Sequence, residues 1–122
     1  MKKILVIEDN ETNMYLIGFI LRKNGYEVIE ARTGEEGMEL ALKERPDLII
    51  MDIQLPGMDG LEATRRIRES KADGRIPIIA LTSYAMTGDR ERALKVGCNG
   101  YIEKPINPET IMDEIKKYMK GD

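Results

Sequence analysis

The chain has 122 residues, 42% of them hydrophobic, and a net charge of −3. That is enough for one domain with a core and too little for two, and it offers no broad basic field to attract nucleic acid. It holds no histidine and one cysteine, which excludes imidazole acid–base catalysis, Ser-His-Asp triads, imidazole metal sites and an internal disulfide.

Any bound metal is therefore expected to be held by oxygen, as a hard cation such as Mg²⁺ or Ca²⁺. The opening "MKKILVIEDN" has the lysines and short apolar run of a secretory leader. Glu8 and Asp9 end that run too early, and no small-residue cleavage site follows. No apolar run approaches membrane-spanning length. A cytoplasmic protein with a small buried thiol at Cys98 is expected.

In chain order, "KILVIE" reads as a strand. "ETNMYLIGFILRKNG" reads as a helix, capped by Asn10 and stopped by Gly25. "YEVIEA" alternates apolar and polar residues, as a half-exposed strand does. "TGEEGMELALKERP" is a helix with a Thr33/Glu36 capping box and Pro46 just beyond it. "DLIIMD" is a fully apolar strand that runs into Asp52. The loop "QLPGMDG" follows, then the helix "LEATRRIRESK", which Asp59 is placed to cap. "IPIIALT" is a second fully apolar strand. "GDRERALKVG" is a helix after Thr87 that ends at Gly97. "GYIEK" is a short strand. "NPETIMDEIKKYMK" is a final helix, with Asn107 as N-cap and Pro108 at its first position. Its apolar stripe is Ile111, Met112, Ile115, Tyr118 and Met119.

Five strand patterns alternate with five helix patterns, which predicts an α/β fold with a parallel sheet covered on both faces. The apolar runs "ILVI", "LIIM" and "IIAL" mark strands one, three and four as central; the second and fifth suit the edges. The order 2-1-3-4-5, built with right-handed crossovers, satisfies this and is the flavodoxin-like order of a three-layer (βα)5 sandwich. Residues 1–122 read as a single domain, with no linker or repeat.

In such a sheet every strand's C-terminal end lies on one edge, where ligands bind. Glu8 and Asp9 end strand one. Asp52 ends strand three, about 5 Å away across the ladder. Thr82 ends strand four and Lys104 follows strand five. Adjacent acids at the end of a buried strand repel each other, and a divalent cation would remove that repulsion. Each residue also has an ordinary alternative. Glu8 and Asp9 would serve as helix caps, Asp52 as a loop acid, Thr82 as a strand residue and Lys104 as a solvated surface lysine. The case for a site is that all of them fall on one edge.

The motifs "IEDN", "IIMDIQLPGMDG", "ALTSYAM" and "YIEKPI" stand in the order and spacing of a two-component response-regulator receiver domain, which the chain resembles end to end. It is most similar to single-domain regulators and hybrid-kinase receivers of phosphorelays. The resemblance implies Asp52 as phosphoacceptor. It implies Mg²⁺ bound by Asp9, Asp52, the main-chain carbonyl of Gln54, and Glu8, either directly or through water. Glu8 stands where the family more often has aspartate. Lys104 and Thr82 would contact the phosphoryl group, Thr82 and Tyr101 would form the switch pair, and the Lys104–Pro105 bond would be cis. Gln54 and Tyr84 would border the path of the water that removes the phosphoryl group. Gln54 would orient that water and Tyr84 obstruct it, with obstruction dominant.

The partners so implied are a sensor histidine kinase or histidine phosphotransfer protein and a downstream protein, with no nucleic acid or membrane. The chain would not be an enzyme on other substrates; it would catalyse only its own aspartyl phosphorylation and dephosphorylation. The first helix carries Met14, Tyr15, Leu16, Ile17, Phe19, Ile20 and Leu21, more apolar residues than one core stripe needs. They are either a wide buried face or a docking surface for a histidine-bearing helical bundle.

Two other functional classes fit less well. A phosphohydrolase of the haloacid-dehalogenase type needs a second aspartate where Gln54 stands. A flavodoxin-like cofactor binder needs a Ser-, Thr- and Gly-rich loop after strand one, and "EDNETN" would repel a phosphate. A receiver that binds partners without being phosphorylated leaves the full acid set, Thr82 and Lys104 unexplained.

Overall fold

The computed structural model describes residues 1–70, 75–83 and 88–119. Five strands alternate with five helices: β1 Lys3–Ile7, α1 Glu11–Lys23, β2 Glu27–Ala31, α2 Gly34–Glu44, β3 Leu48–Asp52, α3 Gly60–Glu69, β4 Ile78–Thr82, α4 Asp89–Val96, β5 Gly100–Glu103 and α5 Ile111–Lys116. The strands form one parallel sheet in the order β2-β1-β3-β4-β5.

The apolar runs explain this order. Every residue of β3 and β4 is buried, and so is β1 after Lys3, as strands covered on both faces must be. β2 is half-exposed until Ala31, and β5 alternates; both lie at the edges. Successive side chains go to opposite faces. Ile4, Val6, Leu48, Ile50, Ile79 and Leu81 pack against Met14, Ile17 and Leu21 of α1 and Ile111 and Ile115 of α5. Leu5, Ile7, Ile49, Met51, Ile78 and Ala80 meet Ala41 of α2, Ala63 and Ile67 of α3 and Ala93 of α4. Each fully buried Leu or Ile contributes on the order of 1.5–3 kcal/mol, so the two faces together fix which strand ends are neighbours.

The caps expected of three helices are present. Asn10, Thr33 and Asp59 accept from the N–H groups of Asn13, Glu36 and Glu62. The last helix begins later than its sequence suggests. Asn107 holds a turn, accepting from Glu109 N on its side chain and from Thr110 N and Ile111 N on its carbonyl, and regular helix starts only at Ile111. Pro108 fits the turn as well as it would a helix start, since neither needs its missing N–H. α4 starts at Asp89 behind Gly88, whose φ of 87° is a left-handed entry; Thr87 lies outside the described residues. Among the described residues no helix is long and apolar enough to cross a membrane.

Candidate functional site

The sheet delivers its acids to one edge. β1 ends at Ile7, and the ladder continues one bond further, from Glu8 N to Ala31 O at 3.0 Å. That bond holds the Glu8 backbone at the sheet, and its side chain is fully buried. Asp9, the next residue, is exposed. Asp52 closes β3 with its side chain 2% exposed. One carboxylate oxygen from each of Glu8, Asp9 and Asp52 lies within 4.8 Å of the others. Asn10, not either acid, caps α1 through its side chain. Asp47 immediately precedes β3 at the opposite edge, where its side chain accepts from Lys3 N at 2.8 Å.

Lys104 follows β5, anchored by its N–H to Thr82 O at 2.8 Å. Its Nζ lies 3.0 Å from Asp52 Oδ2 and 3.3 Å from Glu8 Oε1. The Lys104–Pro105 peptide bond is cis. Asp52 Oδ1 accepts from the N–H of Gln54 at 3.0 Å. Gln54 itself is exposed, Thr82 is buried at the end of β4, and Tyr101 is half-buried on β5 beside Ala80 of β4. Tyr84 lies outside the described residues.

The electrostatics follow from this crowding. Burial pushes the Glu8 carboxyl up to about 7; its hydrogen bond to Asp52 and the Asp52 charge push the same way, while the Asn10 N–H and Lys104 resist. Burial works to lower the pKa of Lys104, but the bond to Asp52 and the charges of Asp52 and Glu8 outweigh it, so the ammonium is held above its usual value. One ammonium contacts the two buried acids, and the exposed Asp9 lies beside them. The donor set is all oxygen and under-neutralised, which is the chemistry a hard divalent cation takes.

The model of the response regulator receiver domain matches residues 4–116. The chain belongs to this family. A receiver domain acts in two-component signalling, and the relatives of this one fall on both sides of that traffic. It is 46% identical to the polar-differentiation response regulator DivK of Brucella anthropi, over 99% of this chain and 98% of that protein. The receiver domain of a sensor histidine kinase from Pseudomonas aeruginosa, solved with a magnesium ion coordinated in its active-site cleft, matches with TM-score 0.89 at 39% identity over 96% of each chain. A Saccharomyces cerevisiae co-crystal structure of a histidine phosphotransfer protein with the receiver domain of its downstream response regulator matches with TM-score 0.88 at 30% identity, over 97% of this chain and 88% of that one.

Three residues of this receiver domain's site are absent from the sequence reading. Asn13 Nδ2 donates to Glu8 Oε1 at 3.4 Å. The guanidinium carbon of Arg90 lies 4.8 Å from the Tyr101 ring centroid. Gly60 packs on the Asp52 peptide. For Asn13 a signal was available: it stands three residues after the cap of α1, where a capping box would carry Glu or Gln.

Proposed function

We propose that this receiver domain, read as spanning residues 1–122, takes a phosphoryl group from a phosphohistidine onto Asp52. The observation that carries this is the pairing of a nearly fully buried Asp52 with Lys104 at 3.0 Å, beside Glu8 and Asp9. A carboxylate held in place at a strand end, with a cation ready for its oxygens, needs little further arrangement for in-line transfer, which is mainly positioning and charge neutralisation.

Glu8, Asp9, Asp52 and the main-chain carbonyl of Gln54 would hold Mg²⁺. When bound it neutralises charge on the transferring oxygens. The residues of the chain do the rest. The Gln54 N–H holds Asp52 Oδ1, fixing the direction in which the carboxylate points. An oxygen of Asp52 forms the new bond to phosphorus as the phosphorus–nitrogen bond breaks and its electron pair returns to the imidazole. Lys104 exchanges part of its bond to Asp52 for a phosphoryl oxygen. Water later attacks phosphorus, releasing inorganic phosphate and the Asp52 carboxylate. The chain acts on itself in both steps and on no other substrate.

Thr82 would donate its hydroxyl to a phosphoryl oxygen, and Tyr101 would turn as Thr82 moves, changing the face formed by α4, β5 and α5 that a downstream protein reads. The donor would be a sensor histidine kinase or a histidine phosphotransfer protein, in a cytoplasmic setting. Gln54 would orient the hydrolytic water. The test is intact-mass analysis after incubation with acetyl phosphate. The chain gains one phosphoryl group with Mg²⁺; excess chelator and Asp52→Asn each abolish the gain. A gain that survives either treatment overturns the assignment.

A further inference from the structure

In a reciprocal helix cap, the side chain three residues after the N-cap turns back to accept an N–H at the helix entrance. α2 does this: Thr33 Oγ1 accepts from Glu36 N at 3.0 Å, and Glu36 Oε1 accepts from the N–H of Arg32, one residue before the cap, at 2.7 Å. In α1 the same positions hold Asn10 and Asn13, and only the first half forms, with Asn10 Oδ1 accepting from Asn13 N at 2.9 Å. The second half is redirected onto Glu8. The N–H of Asn10 donates to Glu8 Oε2 at 3.2 Å, and Asn13 Nδ2 donates to Glu8 Oε1 at 3.4 Å. Each oxygen of this buried carboxylate thus takes a donor from the first turn of α1. The amide presents its nitrogen to Glu8, which suits the ionised form of that group, an acceptor only.

We propose that Asn13 is a positioning residue for cation binding, matched to glutamate at position 8. The inference rests on the reading of Glu8, Asp9 and Asp52 as the cation ligands. Glutamate has one more rotatable bond than aspartate, and a ligand left free must be ordered when the cation arrives, which weakens binding. The Asn13 amide orders it beforehand. An aspartate at position 8 would draw the carboxylate back by about 1.5 Å, one carbon–carbon bond, and take its oxygen out of reach of Asn13. Glu8 and Asn13 therefore act as a unit, and Asn13 has no such role beside the shorter acid.

The test is calorimetric titration of Mg²⁺ into the full chain without any phosphodonor. Asn13→Ala weakens Mg²⁺ binding by about ten-fold, the low end of what partners of metal ligands contribute. In a Glu8→Asp background the same change has an effect of no more than about two-fold, so the double-mutant cycle shows coupling. Alanine suits the helix and keeps the backbone bond to Asn10. Asn13→Leu, similar in size and lacking a donor, is the second variant and gives the same loss. Asp9→Asn distinguishes failure of the cation site from failure of this role. Lost affinity in Asp9→Asn with full affinity in both Asn13 variants overturns the role of Asn13 alone. An equal loss on Asn13→Ala with Glu8 present and in the Glu8→Asp background does the same. Full affinity in Asp9→Asn overturns the cation site and this role with it.

Discussion

A Cβ built on Gly60 would stand 2.1 Å from the carbonyl oxygen of Asp52 and 2.9 Å from its carbonyl carbon. Gly60 is the first residue of α3, and its N–H donates to Ile53 O at 2.9 Å. The start of α3 is thereby pressed against the peptide that follows Asp52, and no side chain fits between them. The contact is backbone against backbone, so relief requires moving the strand end or the helix. Gly60→Ala should destabilise the fold by about 1–3 kcal/mol, as overpacking does, and slow acetyl phosphate labelling as well. Urea unfolding measures the first effect. Unchanged stability would show that the strand end yields freely.

The Glu8 carboxyl titrates near 7, above its ordinary value of 4.5, because it is buried beside Asp52. The sign is that of a raised acid. The folded chain binds this proton more tightly than the unfolded chain does, so the associated stability is present below about 4.5 and is lost as pH rises through about 7. With Glu8 as a cation ligand, as proposed above, Mg²⁺ would have to displace the same proton. Its affinity should fall by up to about ten-fold per pH unit below 7, with proton release on binding. Calorimetry at pH 6 and pH 8 in two buffers reads both. Glu8→Gln should flatten the dependence, and equal affinity at both pH values in the unchanged chain would refute it.

The architecture was legible because the buried strands carry continuous apolar runs. "ILVI", "LIIM" and "IIAL" marked β1, β3 and β4 as central, and parallel pairing then placed Glu8, Asp52, Thr82 and Lys104 on one edge without further information. What was not legible lies in side-chain direction and close approach. The spacing of Asn10 and Asn13 announces a helix start, but the redirection of Asn13 onto Glu8 depends on how α1 leaves β1. The Gly60 contact depends on α3 returning to the end of β3. Arg90 meets Tyr101 only because α4 packs over β5. The late start of α5 reflects a turn and a helix sharing the same Asn-Pro signal.

α1 divides as an amphipathic helix should, with Met14, Ile17 and Leu21 buried. Tyr15 and Phe19 are 74% and 53% exposed, their rings stacked at 6.3 Å with Lys23 Nζ 6.0 Å from the Phe19 centroid. Two adjacent exposed aromatics at the helix that leads from Asp9 suit docking of a histidine-bearing helical bundle. Phe19→Glu should slow transfer from a phosphohistidine partner by roughly ten-fold and leave acetyl phosphate labelling unchanged. Equal slowing in both assays would mean a damaged pocket instead.

Thr82 is buried at the end of β4, and Tyr101 stands half-buried on β5 under the Arg90 guanidinium. In the proposed switch, one charge-assisted hydrogen bond and a change in ring burial would supply about 2–4 kcal/mol to move this pair. That shifts a two-state population substantially without making it absolute. Thr82→Ala should accept phosphate yet bind the downstream partner as weakly as the unphosphorylated chain. Tyr101→Ala should lose less of the response, since the hydrogen bond survives. Tight partner binding by phosphorylated Thr82→Ala would place the signal on another route.

Reductive trapping reads out which acid carries the phosphoryl group. An acyl phosphate is reduced by borohydride to an alcohol, which marks the carbon that bore the phosphate. The chain is treated with acetyl phosphate and Mg²⁺, trapped and digested, and the peptide spanning Leu48–Gly60 is sequenced by mass spectrometry. A reduced residue is expected at position 52, at a yield that falls with chelator and with Lys104→Ala. A mark at Glu8, Asp9 or any other acid, with position 52 intact, would overturn Asp52 as the phosphoacceptor.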